Sequence, residues 1–203
     1  MTSRRELKKP TGLIYIFTGN GKGKTSAALG MLLRGLANGW NVGWISWYKE
    51  ASWGISEHGF GKLLLPEAQK RLQFFPMGKG FFLKNELAKG GVKIARVNAG
   101  VVVDDDQPGD HRRAAQFALE KAAELLPTVD VLFLDEICNA VDDGLLEESA
   151  VLELLARRGK AHVVLTGRNA SAKLRVAADL VSEIKKEKHP FDTGKLAVKG
   201  LDF

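Results

Sequence analysis

Apolar residues along this chain fall into short runs separated by stretches in which they recur every third or fourth position. Residues 13–17 form a continuous apolar run, and residues 42–48, 129–134, 162–165 and 180–184 are further strand-like runs rich in Val, Ile, Leu and aromatic residues. A run without alternation reads as a strand covered on both faces, as in a parallel sheet. After the first run Ala27, Ala28, Met31, Leu32, Gly35 and Leu36 recur at helical spacing, with Asn38-Gly39 as the stop. A second helix is predicted over residues 111–126, with Asp110 as N-cap and Ala114, Ala115, Phe117, Ala118, Ala122 and Leu125 as its apolar side. Residues 145–156 and 173–178 read as two more helices. The first strand, helix and second strand form a β-α-β unit, for which a right-handed crossover is expected. This alternation predicts an α/β fold, a three-layer P-loop NTPase-like domain around a mostly parallel sheet.

Elsewhere the pattern weakens. Gly54, Gly59, Gly61 and Pro66 interrupt residues 49–70, which read as loops with short helical pieces. Residues 72–75 could form a short strand feeding a second glycine-rich loop, Met77-Gly78-Lys79-Gly80. Residues 92–97 and 101–103, separated by Asn98-Ala99-Gly100, look like a hairpin, and Asp104-Asp105-Asp106 like a solvated turn. Trp44, Trp47 and Trp53 read as packing residues in preference to ligand-stacking ones. Residues 1–10 carry Arg4, Arg5, Lys8 and Lys9 with little to bury, which suggests a basic arm ahead of a single α/β domain over 11–203, with an insertion at 84–108.

Composition narrows the setting. A chain of 203 residues, 45% hydrophobic, can bury ~70% of its unfolded surface in one core. Cys138 is the lone cysteine, so no intrachain disulfide can form, and no signal peptide or apolar run of spanning length is evident; a reducing cytoplasm is the expected location. The formal charge of +6 suits an anionic ligand, either a nucleotide or nucleic acid.

The chemistry concentrates at residues 18–25, Thr-Gly-Asn-Gly-Lys-Gly-Lys-Thr. This is a phosphate-binding P-loop in which Thr18 stands where the usual template has its first glycine. Gly19, Gly21 and Gly23 let backbone N–H groups close around phosphate oxygens, and the helix that follows adds the positive end of its dipole. Lys24 would reach the phosphates, Lys22 adds a second cation, and the Thr25 hydroxyl would hold a divalent cation. A carboxylate at the end of another buried strand is needed opposite, and Asp135-Glu136 supplies it directly or through water.

Four segments together resemble the P-loop type of ATP:cob(I)alamin (corrinoid) adenosyltransferase: residues 18–25, Leu134-Asp135-Glu136, Leu165-Thr166-Gly167-Arg168 and Lys188-His189-Pro190-Phe191-Asp192-Thr193-Gly194. The ending Lys199-Gly200-Leu201-Asp202-Phe203 is similar to that family's closing segment. The resemblance implies that Co(I) of a reduced corrinoid attacks C5′ of ATP and releases triphosphate, with the triphosphate lying along the loop in the reverse sense from ordinary P-loop ATPases. It implies Thr18, Gly19, Asn20, Gly21, Lys22, Gly23, Lys24, Thr25, Ser26 and Arg168 as ATP-binding residues, with Lys24, Lys22 and Glu136 as the catalytic group. Thr25, Asp135 and Glu136 would hold Mg2+ or Mn2+. On the corrinoid side it points to Phe81, Leu83, His189, Phe191 and Asp192. A homodimer and a reductase supplying electrons for Co(I) are further expectations, with no membrane partner.

The corrinoid side departs from the family pattern. There the second glycine loop usually continues Gly-Phe-Thr-Trp, whereas this chain has Gly80-Phe81-Phe82-Leu83. Three other readings therefore stay open. A small-molecule kinase or ATPase would release ADP and phosphate in place of triphosphate. A nucleic-acid module would use the basic arm with Lys185, Lys186 and Lys188, although a solvated strand end accounts for those lysines more simply. A carrier would bind nucleotide and corrinoid without turnover.

Overall fold

The computed structural model describes residues 11–49, 56–80, 87–89, 92–97, 100–104, 108–198 and 200–201, with backbone alone for 87–89, 92–97, 100–104, 108 and 191. The basic arm, Trp53, Phe81, Phe82, Leu83, Asp105, Asp106, Lys199, Asp202 and Phe203 lie outside the described residues, as does the side chain of Phe191.

In chain order the elements are β1 (Ile14–Thr18), α1 (Lys24–Ala37), β2 (Val42–Ser46), α2 (Pro66–Gln69), β3 (Leu72–Pro76), β4 (Leu87–Lys89), β5 (Val92–Val97), β6 (Gly100–Asp104) and α3 (Pro108–Leu125). There follow β7 (Val131–Asp135), α4 (Ile137–Asp142), α5 (Glu148–Ala156), β8 (His162–Thr166), α6 (Ala172–Ala177) and β9 (Leu180–Glu183). Single 3-10 stretches cover Ser56–Leu63, Leu126–Thr128 and Pro190–Thr193.

Six strands form one sheet in the order β3-β2-β7-β8-β1-β9, and every neighbouring pair is parallel. The two strands of the first β-α-β unit are therefore not neighbours: β7 and β8 lie between them. Alternate side chains of each central strand enter different cores, since successive residues of a strand point to opposite faces. Val131 and Phe133 of β7 join Ala28, Leu32 and Leu36 of α1 on one face, with Val42, Trp44 and Val164. Leu132 and Leu134 join Ala115, Ala118 and Ala122 of α3 and Leu154 and Leu155 of α5 on the other, with Ile14, Ile16 and Ile45. Both faces of β7 are thus apolar, which is why its sequence is a run and not an alternation. Trp44 and Trp47, 1% and 2% exposed, belong to these cores.

Several boundaries differ from the sequence reading. Helix α3 starts at Pro108, whose fixed φ suits a first helical position, so Asp110 sits within the first turn and is not the N-cap. Its carboxylate pairs instead with Arg113 one turn on. Phe117 is 63% exposed, because two residues from buried Ala115 is ~200° around the helix; Leu119 takes the inward position. The helix expected from residue 145 begins at Glu148, with Leu145 and Leu146 buried in the preceding turn. Helix α4 was not predicted. The expected hairpin is present as antiparallel β5 and β6, with β4 on the other edge of β5 in a separate three-stranded sheet. Among the described residues no helix is long and apolar enough to cross a membrane.

Candidate active site

The carboxyl ends of β2, β7, β8 and β1 lie side by side, and the loop of residues 18–25 leaves the last of these. Open parallel sheets bind ligands at this edge.

The loop is folded against the chain that leaves β9. Ile184 N donates to Thr18 O at 2.8 Å, Gly21 N to Ile184 O at 2.7 Å, and Lys186 N to the Asn20 Oδ1 at 3.0 Å. A Cβ on Gly19 would lie 2.4 Å from Ile184 O, and one on Gly21 2.6 Å from Lys185 O. These two glycines are required by the close approach of residues 184–185 as well as by any phosphate. Gly23, with φ 113 and open space around a Cβ, is constrained by conformation alone. Thr18 is fully buried, and its hydroxyl accepts from Ala170 N at 3.2 Å, so a threonine has a partner where the P-loop template carries glycine.

Lys24 reaches back across the loop, its Nζ donating to Gly19 O at 2.9 Å and Gly21 O at 2.8 Å. Burial, then the Arg168 guanidinium, holds this lysine below its ordinary value, against the opposing pull of Glu136 and Asp135. Lys22 and Ser26 are exposed on the loop and the first helical turn.

Opposite Lys24, the fully buried Asp135 ends β7. Its Oδ1 accepts from the Thr25 hydroxyl at 3.0 Å and the Thr166 hydroxyl at 2.7 Å, and its Oδ2 from Lys49 Nζ at 2.7 Å. Thr166 Oγ1 also accepts from Glu136 N at 2.8 Å, joining the ends of β7 and β8. Lys49 extends a second bond to Glu57 Oε1 at 3.1 Å. Burial lowers the Lys49 ammonium, but Asp135, Glu136 and Glu57 outweigh it and keep this cation above the usual lysine range. Glu136 has φ 66, a left-handed turn that starts α4. Burial and then the Asp135 carboxylate push Glu136 up to about 7, opposed by Lys49, Lys24 and Arg168.

Arg168 is exposed just beyond β8; its backbone N–H donates to the Asn139 Oδ1 of α4 at 2.7 Å. Half-buried His189 and exposed Asp192 lie further along the segment that holds the loop. Lys186 ties Asp192 to it, its N–H on Asn20 and its Nζ on Asp192 Oδ1 at 2.9 Å, and Asp192 N donates to His189 O at 3.0 Å. The structure thus brings together Thr18 to Thr25, Asp135 and Glu136, and sets Arg168 beside them. Phe81 and Leu83 are beyond what it describes.

The oxygen donors fit a hard divalent cation: the Thr25 hydroxyl and Asp135 Oδ1 are hydrogen-bonded neighbours, with Glu136 next in sequence. Among the described residues no group of three or more His, Cys, Asp or Glu could hold a metal. A cation here would take most of its ligands from water and nucleotide, as magnesium usually does. Sequence reasoning missed Lys49, Glu57, Thr166 and Asn139. Thr166 lay within the quoted Leu-Thr-Gly-Arg segment, and Lys49 directly follows the second strand run, but nothing in spacing linked either to Asp135.

Comparison with known proteins covers nearly the whole chain. The family model described as ATP:corrinoid adenosyltransferase BtuR/CobO/CobP matches residues 10–203. A corrinoid adenosyltransferase of Pseudomonas aeruginosa is 34% identical over 95% of this chain and 84% of its own length. The corrinoid adenosyltransferase CobA of Salmonella typhimurium is 31% identical over 98% and 89%. A third, from a Sinorhizobium species, is 32% identical over 95% and 80%. With its loop, strand-end acid and full-length match in agreement, the chain belongs to the ATP:corrinoid adenosyltransferase family.

Proposed function

We propose that this chain transfers the 5′-deoxyadenosyl group of ATP to the Co(I) centre of a reduced corrinoid. The Co–C5′ bond forms as the C5′–O5′ bond breaks, and the electron pair of the broken bond leaves with triphosphate. Co(I) is itself the nucleophile, so the protein has no proton to abstract. It has to align C5′ with cobalt and stabilise the charge gathering on the leaving oxygens. The observation that carries this reading is the convergence of Lys24, Thr25 and Asp135 in a chain of this family.

The geometry of the described residues supports the following roles. Phosphate oxygens would take over the Lys24 ammonium from the carbonyls of Gly19 and Gly21. Lys22 and Arg168, exposed at the rim, would draw in the triphosphate and share its charge, with the backbone N–H groups of residues 19–25 and the Ser26 hydroxyl as further donors. Thr25 Oγ1, Asp135 Oδ1 and Glu136 would hold magnesium, which supplies Lewis-acid stabilisation of the departing triphosphate when bound. Phe81, Leu83, His189, Phe191 and Asp192 form the candidate corrinoid side. Co(I) requires a strong electron donor, so a reductase partner belongs to this reading, as does a homodimer.

The test is anaerobic incubation with Mg-ATP and chemically reduced cobalamin or cobinamide, following Co(I) absorbance and released triphosphate. Light-sensitive adenosylated corrinoid with stoichiometric triphosphate is the expected result, and Lys24→Ala should reduce it at least about a hundredfold. ADP and phosphate as products would replace this reading with phosphoryl transfer.

A further inference from the structure

Resting on the reading of Thr25 and Asp135 as holders of the cation, we propose that Lys49 is a positioning residue. As a tethered ammonium it occupies Asp135 Oδ2 and keeps the site closed to divalent cations until they arrive bound to ATP.

Its placement is specific. Lys49 Nζ is 2.7 Å from Asp135 Oδ2 and 3.1 Å from Glu57 Oε1, and the three side chains are only 14%, 0% and 15% exposed. The backbone is bent to achieve this. Lys49 N donates to Trp47 O at 2.8 Å, closing a three-residue turn centred on Tyr48, whose φ of 64 is rare for a residue with a side chain. The turn is held from three sides. Tyr48 OH donates to Asp143 Oδ2 at 2.5 Å, Trp47 N to Asp135 O at 3.0 Å, and Gly78 N to Lys49 O at 3.2 Å. Residue 78 must be glycine, since a Cβ there would come within 2.3 Å of Tyr48 N and Lys49 N. Strain of this kind persists where surroundings over-determine it, and it clusters at functional sites.

Stability alone does not account for the arrangement. A buried ion pair contributes little beyond a well-packed apolar pair, because desolvation offsets the Coulomb attraction. Its electrostatic consequence is larger. Without Lys49, the buried Asp135 Oδ2 would lose the cation that lies on it, and this carboxylate beside the Thr25 hydroxyl would be open to Mg2+ or Mn2+ directly. With Lys49 in place, one Asp135 oxygen is already taken and the other is shared by Thr25 and Thr166. A metal would then have to bring ligands of its own, which the triphosphate and water would provide. The same lysine's backbone carbonyl receives the second glycine loop, so this device links that loop to the nucleotide site.

Manganese binding tests the proposal apart from turnover. Free Mn2+ is followed by its EPR signal with and without ATP, for the unaltered chain, Lys49→Gln, Lys49→Met, Lys49→Arg and Asp135→Asn. The unaltered chain should bind Mn2+ only together with ATP, and Asp135→Asn should weaken that binding. Lys49→Gln should bind Mn2+ without nucleotide, about tenfold or more tightly than any residual nucleotide-free binding by the unaltered chain, and Lys49→Arg should restore the requirement for ATP. Lys49→Met, which retains the aliphatic stem, gives the same readout should the glutamine variant fail to fold. Nucleotide-free Mn2+ affinity in either neutral variant equal to that of the unaltered chain would overturn the gating role. ATP-linked Mn2+ binding that ignores Asp135→Asn would overturn the cation site itself, a separate failure.

Discussion

Gly19 and Gly23 occupy one loop for different physical reasons, and substitution separates them. Alanine at 23 meets open space and bears mainly the left-handed backbone cost, about 1–2 kcal/mol. Alanine at 19 bears a similar backbone cost at φ 105 and also collides with Ile184 O and N. Gly19→Ala should therefore lower the melting temperature clearly more than Gly23→Ala; equal shifts would mean that residues 184–185 yield. Thr166 is the second informative position. Thr166→Val keeps the shape but removes the donor to Asp135 and the acceptor for Glu136 N, costing about 2 kcal/mol. For a chain of this size that is a fall of roughly 4–8 °C in a thermal scan, and an unchanged midpoint would mean another group takes over both bonds. Cys138 should stay unreactive: it is 1% exposed, and burial pushes its thiol up to about 12. Ellman's reagent should label it only after denaturation.

At the level of elements, what was legible depended on whether one segment carried its own explanation. Strand β7 was legible because both its faces are buried, and α1 because its inward residues repeat every three or four positions. Helix α4 escaped because it is six residues long and opens on Glu136 in a left-handed conformation, which no periodicity announces. The order of strands was equally hidden: separation of β1 from β2 by β7 and β8 is a property of the whole sheet. The loop and Asp135 could be read because each ends or follows an apolar run. The bond from Lys49 to Asp135 spans 86 positions and leaves no local trace. Another long-range link can be tested directly. Asn20 ties the loop to Lys186, which in turn pairs with Asp192. Asn20→Ala should remove about 1 kcal/mol and speed amide hydrogen exchange at residues 184–188, while exchange in β7 stays unchanged. Equal protection at 184–188 in both proteins would mean that the bond Ile184 N donates to Thr18 O and the one Ile184 O accepts from Gly21 N hold the segment by themselves.

For the molecule as a whole, ligand binding and net charge act on the same equilibrium. At the proposed site ATP would bind only where the loop, β7 and the chain beyond β9 are assembled, so it should favour the folded state. At about one hundred times its dissociation constant it should add ~2.7 kcal/mol, or roughly 5–10 °C in melting temperature. Lys24→Ala should abolish most of that shift while leaving the ligand-free melt near its original value, because this lysine's bonds are to loop carbonyls that water can satisfy. Salt divides the contributions further. Lys22 and Arg168 are exposed, whereas Lys24 is part-buried, so added salt screens the rim more than the centre. Between ~0.05 M and ~0.5 M salt the ATP-induced shift should shrink but persist, with the remainder dependent on Lys24. A shift that vanishes at high salt would mean the exposed cations bind triphosphate unaided. A shift indifferent to salt would mean that the charge of +6 plays no part in capturing ATP.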